Sequence, residues 1–210
     1  MIRLLSILFA AAILAICSCS SGKRLLENGQ YDEAVLTSIN RLRQNGDNSK
    51  AQQTLRSAHA YALDFHMNNI KSAAASSDPL KWESVSDHYA RLQYLSQEIR
   101  KCPACMHIIH EPELFTNELN EARTKAAEVR YALGSNCLKT ETKEKAKEAY
   151  GHFTVCQNLV PNFKDVTAQL ELSKSKATTT VILEPIPMHS YQLKLSNEFF
   201  ENKIRQKFRI

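Results

Sequence analysis

Apolar residues recur at intervals of three and four along most of this 210-residue chain, the spacing of one buried face on an α-helix. Tyr31, Val35, Ile39 and Leu42 form one such stripe. Leu55, Ala58, Ala62 and Phe65 continue it on a further helix, which the pattern starts near Asn48 and ends near Ala75. His59 and His66, seven residues apart, read as flanking that core face. The polar stretch SSDP follows, and a new helix is expected from Pro79, with Asp78 or Ser77 as N-cap and proline in the first turn. Trp82, Val85, Tyr89, Leu92, Leu95 and Ile99 mark its buried side, with Trp82 as a core anchor. Beyond a break, Phe115, Leu119, Ala122, Ala126, Val129 and Leu133 repeat the spacing over about five turns.

Both ends depart from this pattern. Residues 4–16 are an apolar run interrupted only by Ser6 and preceded by Arg3. That is the build of an export signal and too short for a permanent span. At the other end TTTVILEPIP, residues 178–187, is β-branched and stops at prolines, which predicts a short strand, with a helix from about Tyr191 to Phe208. A lone strand leaves its backbone groups unpaired. Either another chain completes it, or it opens an α/β module that longer relatives finish. Three segments follow: residues 1–18 as a leader, 19–177 as a helical body and 178–210 as a strand and helix.

Composition narrows the class. Five glycines in 210 residues and 43% hydrophobic content favour a mostly α fold over a turn-rich β fold. The net charge of +5 is spread among acidic residues, so no nucleic-acid patch is indicated. The local excess at Lys194, Phe199, Phe200, Lys203, Arg205, Lys207 and Phe208 reads as solvated cations beside an apolar face.

Six cysteines carry the candidate chemistry. The leader ends ILAICSCSSGKR, which resembles the cleavage site of bacterial lipoprotein signals: an aliphatic residue, two small ones, then the cysteine that is acylated and becomes the new N-terminus. Cys19, with Ser18 before it and Ile16 three before it, fits better than Cys17, which follows bulky Ile16. The resemblance implies acyl chains such as palmitate on Cys19, enough buried methylenes for lasting attachment. Ser20 after the cysteine favours the outer membrane.

In the body, KCPACMHIIHEPE places Cys102, Cys105, His107 and His110 within nine residues. Four soft ligands invite zinc, though the spacing is more compressed than in familiar fingers. In an exported protein a Cys102–Cys105 disulfide is the simpler expectation, and unpaired thiols and redox catalysis stay open. A thioredoxin-like role needs the motif at a helix start in a βαβ setting, whereas here it reads as ending a helix. Cys137 and Cys156 lie too far apart along a hairpin turning at 139–143 to bond to each other; pairing with the C-x-x-C cysteines stays open, and buried thiols are the expectation. No phosphate loop, G-x-S-x-G or H-E-x-x-H is present, and nothing in the sequence points to an enzyme.

Residues 25–63 also resemble a tetratricopeptide repeat. Gly29, Tyr31 and Ala34 match the G-x-Y-x-x-A opening a second helix, and Gly46-Asp47-Asn48 falls at the inter-repeat turn. Leu133-Gly134 with Ala149, Phe153, Cys156 and Pro161 matches again, cysteine replacing the second alanine, while the 139–143 loop is longer than the consensus. The resemblance implies an irregular helical solenoid of antiparallel helix pairs, whose grooves hold peptides or partner domains. With the anchor, the chain is similar to tetratricopeptide-type envelope lipoproteins, and its signal resembles those of Bacteroidota. The role so implied is a periplasm-facing interaction scaffold or assembly factor among other envelope proteins. The alternatives are a metal or redox protein centred on the cysteine–histidine cluster, and an oligomer subunit completed through the C-terminal strand.

Overall fold

The structure is a computed structural model that describes residues 22–179 and 198–208. Every regular element among the described residues is a helix. Residues 180–187 of the expected strand, the anchor cysteine Cys19 and the whole leader lie outside the described residues. The segment from Thr178 onward is a separate unit, in which helix α9 spans Glu198–Phe208. That range forms the later part of the helix expected from Tyr191.

In the body, α1 covers Gly22–Glu27 and ends in a Schellman cap. The Gln30 N–H donates to Leu25 O at 2.9 Å and the Gly29 N–H to Leu26 O at 3.1 Å, with Gly29 at φ +75°. A side chain there would be strained, which is why glycine closes this turn. Helix α2, Tyr31–Gln44, starts at once with Asp32 and Glu33 in its first turn, where carboxylates suit the helix dipole. Asn48 Oδ1 accepts from the Ala51 N–H at 3.1 Å and caps α3, Ser49–Ala75, close to the expected limits.

Helix α4, Lys81–Arg100, begins two residues later than the proline suggested. Asp78 Oδ1 accepts from the Leu80 N–H at 2.8 Å, so Asp78 closes a turn that holds Pro79 instead of capping the helix. Then come the four-residue α5, Pro103–Met106, and the long α6, Thr116–Leu138. Helix α7, Lys143–Leu159, is capped by the Thr142 hydroxyl, and α8 spans Val166–Ala177.

Each long helix packs on the next along the chain, α1 to α4 in turn, then α4 on α6, α6 on α7 and α7 on α8. The apolar interior is accordingly divided into three clusters. Val35, Ile39, Leu42, Leu55, Leu95 and Ile99 anchor the first. Ile70, Val85, Leu92, Phe115 and Ala122 form the second, and Ala127, Ala149, Phe153, Cys156 and Val166 the third. Trp82 packs only partly buried against the second cluster, with Lys125 Nζ 4.2 Å from its ring centroid.

The residues singled out by the repeat pattern sit where backbones approach. Ala34, Ala149 and Phe153 are fully buried. A Cβ on Gly134 would stand 2.9 Å from the Phe153 ring, so α6 and α7 can meet this closely only with glycine at that position. Tyr31 and Leu133 are half-buried, and Pro161 is exposed in the turn after α7.

One position in the expected core stripe is wrong. On α3 the buried line runs Ala51, Leu55, Ala58, Ala62, His66 and Ile70, while Phe65 is 46% exposed. A steady spacing of three to four residues carries the stripe through His66, and both nitrogens of that ring find partners, which removes the penalty for burying it.

Candidate functional site

Three helices converge on His66. Its Nε2 lies 2.9 Å from Asp32 Oδ1 on α2, and its Nδ1 lies 2.8 Å from His88 Nδ1 on α4. A nitrogen–nitrogen bond needs one donor and one acceptor. The carboxylate takes the Nε2 hydrogen, and a single proton lies between the two Nδ1 atoms. Burial, and then the adjacent His66, push the His88 imidazole below its usual range, against the pull of Asp87 and Asp32. Two imidazolium rings cannot face each other in this arrangement, because both Nδ1 atoms would carry hydrogen.

Above this polar chain lies an aromatic ledge. Tyr31 stacks on Tyr61 with ring centroids 5.6 Å apart and meets Phe65 edge-on at 5.8 Å. Phe65 in turn contacts His66 and His88 edge-on. Tyr61 is 55% exposed, so the ledge presents large apolar area with hydroxyl groups to solvent. The sequence reading assigned Tyr31 and Phe65 to the core and missed His88. Contacts between residues 22 and 34 positions apart leave no periodic signal.

The cysteine–histidine motif is arranged differently from a metal centre. Helix α4 ends at Arg100, and Cys102 then serves as N-cap of α5, so the motif both follows one helix and starts another. The sulfurs of Cys102 and Cys105 are bonded to each other and buried within the first cluster. His107 and His110 are exposed. The structure therefore does not bring the four residues together as a ligand set, because the sulfurs have no lone thiolate to offer. Arg100 fastens the following segment through two hydrogen bonds to Pro112 O, at 3.2 and 2.9 Å. Between that segment, α3 and α4 lies a cavity of about 140 Å³ lined by His59, Leu63, Leu92, Leu95, His110 and Phe115. It is below the size of a small-molecule site. Burial holds His59 below the usual imidazole range.

A different cluster occurs where α6 and α7 meet. Cys137, Glu148 and His152 place a sulfur, a carboxylate oxygen and a ring nitrogen all within 4.8 Å of one another. Glu148 and His152 are one turn apart on α7, a spacing that sets two ligands on one face. That i, i+4 pair was visible in the sequence, but its third member lies across the hairpin. Cys137 is half-buried and free, and Cys156 is buried and free, with its thiol donating to Ala127 O at 3.4 Å. Next to the cluster, Arg130 donates to Glu83 through Nε at 2.5 Å and Nη2 at 2.9 Å, tying α6 to α4. Its Nη1 donates to His152 Nδ1 at 3.0 Å.

Among the described residues no helix is long and apolar enough to cross a membrane. Comparison with protein-family models and with curated proteins gives no match.

Proposed function

We propose that this chain is a lipid-anchored envelope protein that works as a protein-binding scaffold, with Cys19 as the acylated residue and an irregular tetratricopeptide-like solenoid as the body. The observation that carries the reading is the exposed ledge of Tyr31, Tyr61 and Phe65. Aromatic side chains that are rigid, apolar and tipped with hydroxyls are the residues that dominate protein–protein contacts, and this group is fixed from beneath by Asp32, His66 and His88. The neighbour-on-neighbour packing of the helices, the Gly29 cap and the Gly134–Phe153 approach support the repeat assignment. The partners of such a scaffold are other envelope proteins or peptides, met at the periplasmic face of the outer membrane. Its role is binding, with no catalytic step assigned.

The test places a photo-crosslinking residue at Tyr61 in cells, with Thr124 on α6 as the comparison position. A discrete adduct from Tyr61 that is absent from Thr124, and that weakens in Phe65→Ala, is expected. Equal adducts from both positions would refute the ledge as the binding face. For the anchor, Cys19→Ala should move the protein from the membrane to the soluble fraction; continued firm membrane attachment would refute lipidation there.

A further inference from the structure

We propose that Cys137, Glu148 and His152 form a binding site for a borderline divalent cation of the zinc class, held across the α6–α7 hairpin. The three atoms that would ligate it already lie within 4.8 Å of each other, so the ion draws them inward by side-chain rotation instead of assembling them from a distance. Thiolate, imidazole and carboxylate together select zinc, cobalt or nickel over magnesium or calcium, which prefer oxygen alone. Three protein ligands leave a fourth position to water or a partner group.

Each ligand starts in a state the ion can displace. The Cys137 thiol is hydrogen-bonded to the Glu148 carboxylate and held above its usual range, chiefly by burial and then by the charge of Glu148. The ion takes the place of that hydrogen: a metal–sulfur bond forms, the S–H bond breaks, and one proton leaves to solvent. His152 accepts from Arg130, so its ring is neutral with one in-plane lone pair. Burial and then Arg130 keep it below the usual imidazole range, and the lone pair passes from Arg130 to the ion. Arg130 retains both bonds to Glu83, which offsets its charge beside the site. Glu148 also gives up Lys145, whose Nζ lies 2.6 Å from Oε2 in a solvent-exposed pair. Such pairs are weak, and Lys145 is free to turn into water.

The site is separate from the Cys102–Cys105 motif and from the aromatic ledge, and it does not depend on the scaffold reading. The test uses the full-length chain carrying Cys17→Ser and Cys19→Ser, with the disulfide intact and no reductant, titrated with cobalt(II). A thiolate-to-cobalt charge-transfer band that saturates at one equivalent is expected, with release of about one proton per ion. Zinc should abolish the band and magnesium should not. Cys137→Ser should remove it, and Glu148→Gln and His152→Ala should each weaken cobalt binding by about tenfold or more. Cys156→Ser should leave it. The proposal is overturned if no such band appears, if it survives Cys137→Ser, or if neither the Glu148 nor the His152 variant weakens it.

Discussion

Glycine has opposite meanings at two positions only 17 residues apart. At Gly134 an added methyl would sit 2.9 Å from Phe153, whereas at Gly151, inside α7, nothing lies within 4 Å of one. Gly134→Ala should therefore destabilise the protein by about 1–3 kcal/mol through overpacking. Gly151→Ala should stabilise it by up to about 1 kcal/mol through helix propensity. Chemical denaturation of the two variants reads both signs, and a stabilised Gly134→Ala would mean that the hairpin is looser than described. Gly134 was legible beforehand because Leu133-Gly134 and Ala149-x-x-x-Phe153 match a repeat pattern. Phe65 was misread at the same scale, since the periodicity could not show which side of the stripe a polar but fully bonded histidine would occupy.

At the scale of elements, helix limits were legible wherever a side chain caps them, as Asn48 does for α3. They were missed where two signals competed, as Asp78 and Pro79 do before α4. The contacts between α3 and α4 and between α6 and α7 also carry a pH dependence. His59, His88 and His152 are all held below the ordinary imidazole pKa of 6.5, each chiefly by burial. The unfolded chain thus binds more protons than the folded one as pH falls below 6.5. Stability is complete above that value and declines through the lower range, as each of these buried imidazoles must take up a proton. The melting temperature should fall between about pH 7 and about pH 5.5. His88→Gln, which faces His66, Asp32 and Asp87, should flatten the fall. An unchanged melting temperature over this interval, or a steeper fall in the variant, would count against burial holding these imidazoles below their ordinary range.

At the largest scale, the division of the body's interior into three clusters among the described residues makes stability a local property. The mostly helical class could be read from spacing. The His66 junction and the Cys137 cluster could not, because each joins helices through side chains that no single stripe contains. The two free cysteines among the described residues report on this organisation, since Cys137 is half-exposed and Cys156 is enclosed in the third cluster. Alkylation in native conditions should modify Cys137 first and Cys156 on the order of a hundredfold more slowly. Equal rates would show that the α6–α7 hairpin stands open.

The enclosure of Cys156 has one more consequence, in the time domain. A thiol that donates to Ala127 O and meets reagent only when the third cluster opens acts as a clock for that local motion. If a partner or a metal ion clamps the hairpin, the clock slows while the rest of the chain keeps its own pace, so occupancy of the far end can be timed without attaching any label there.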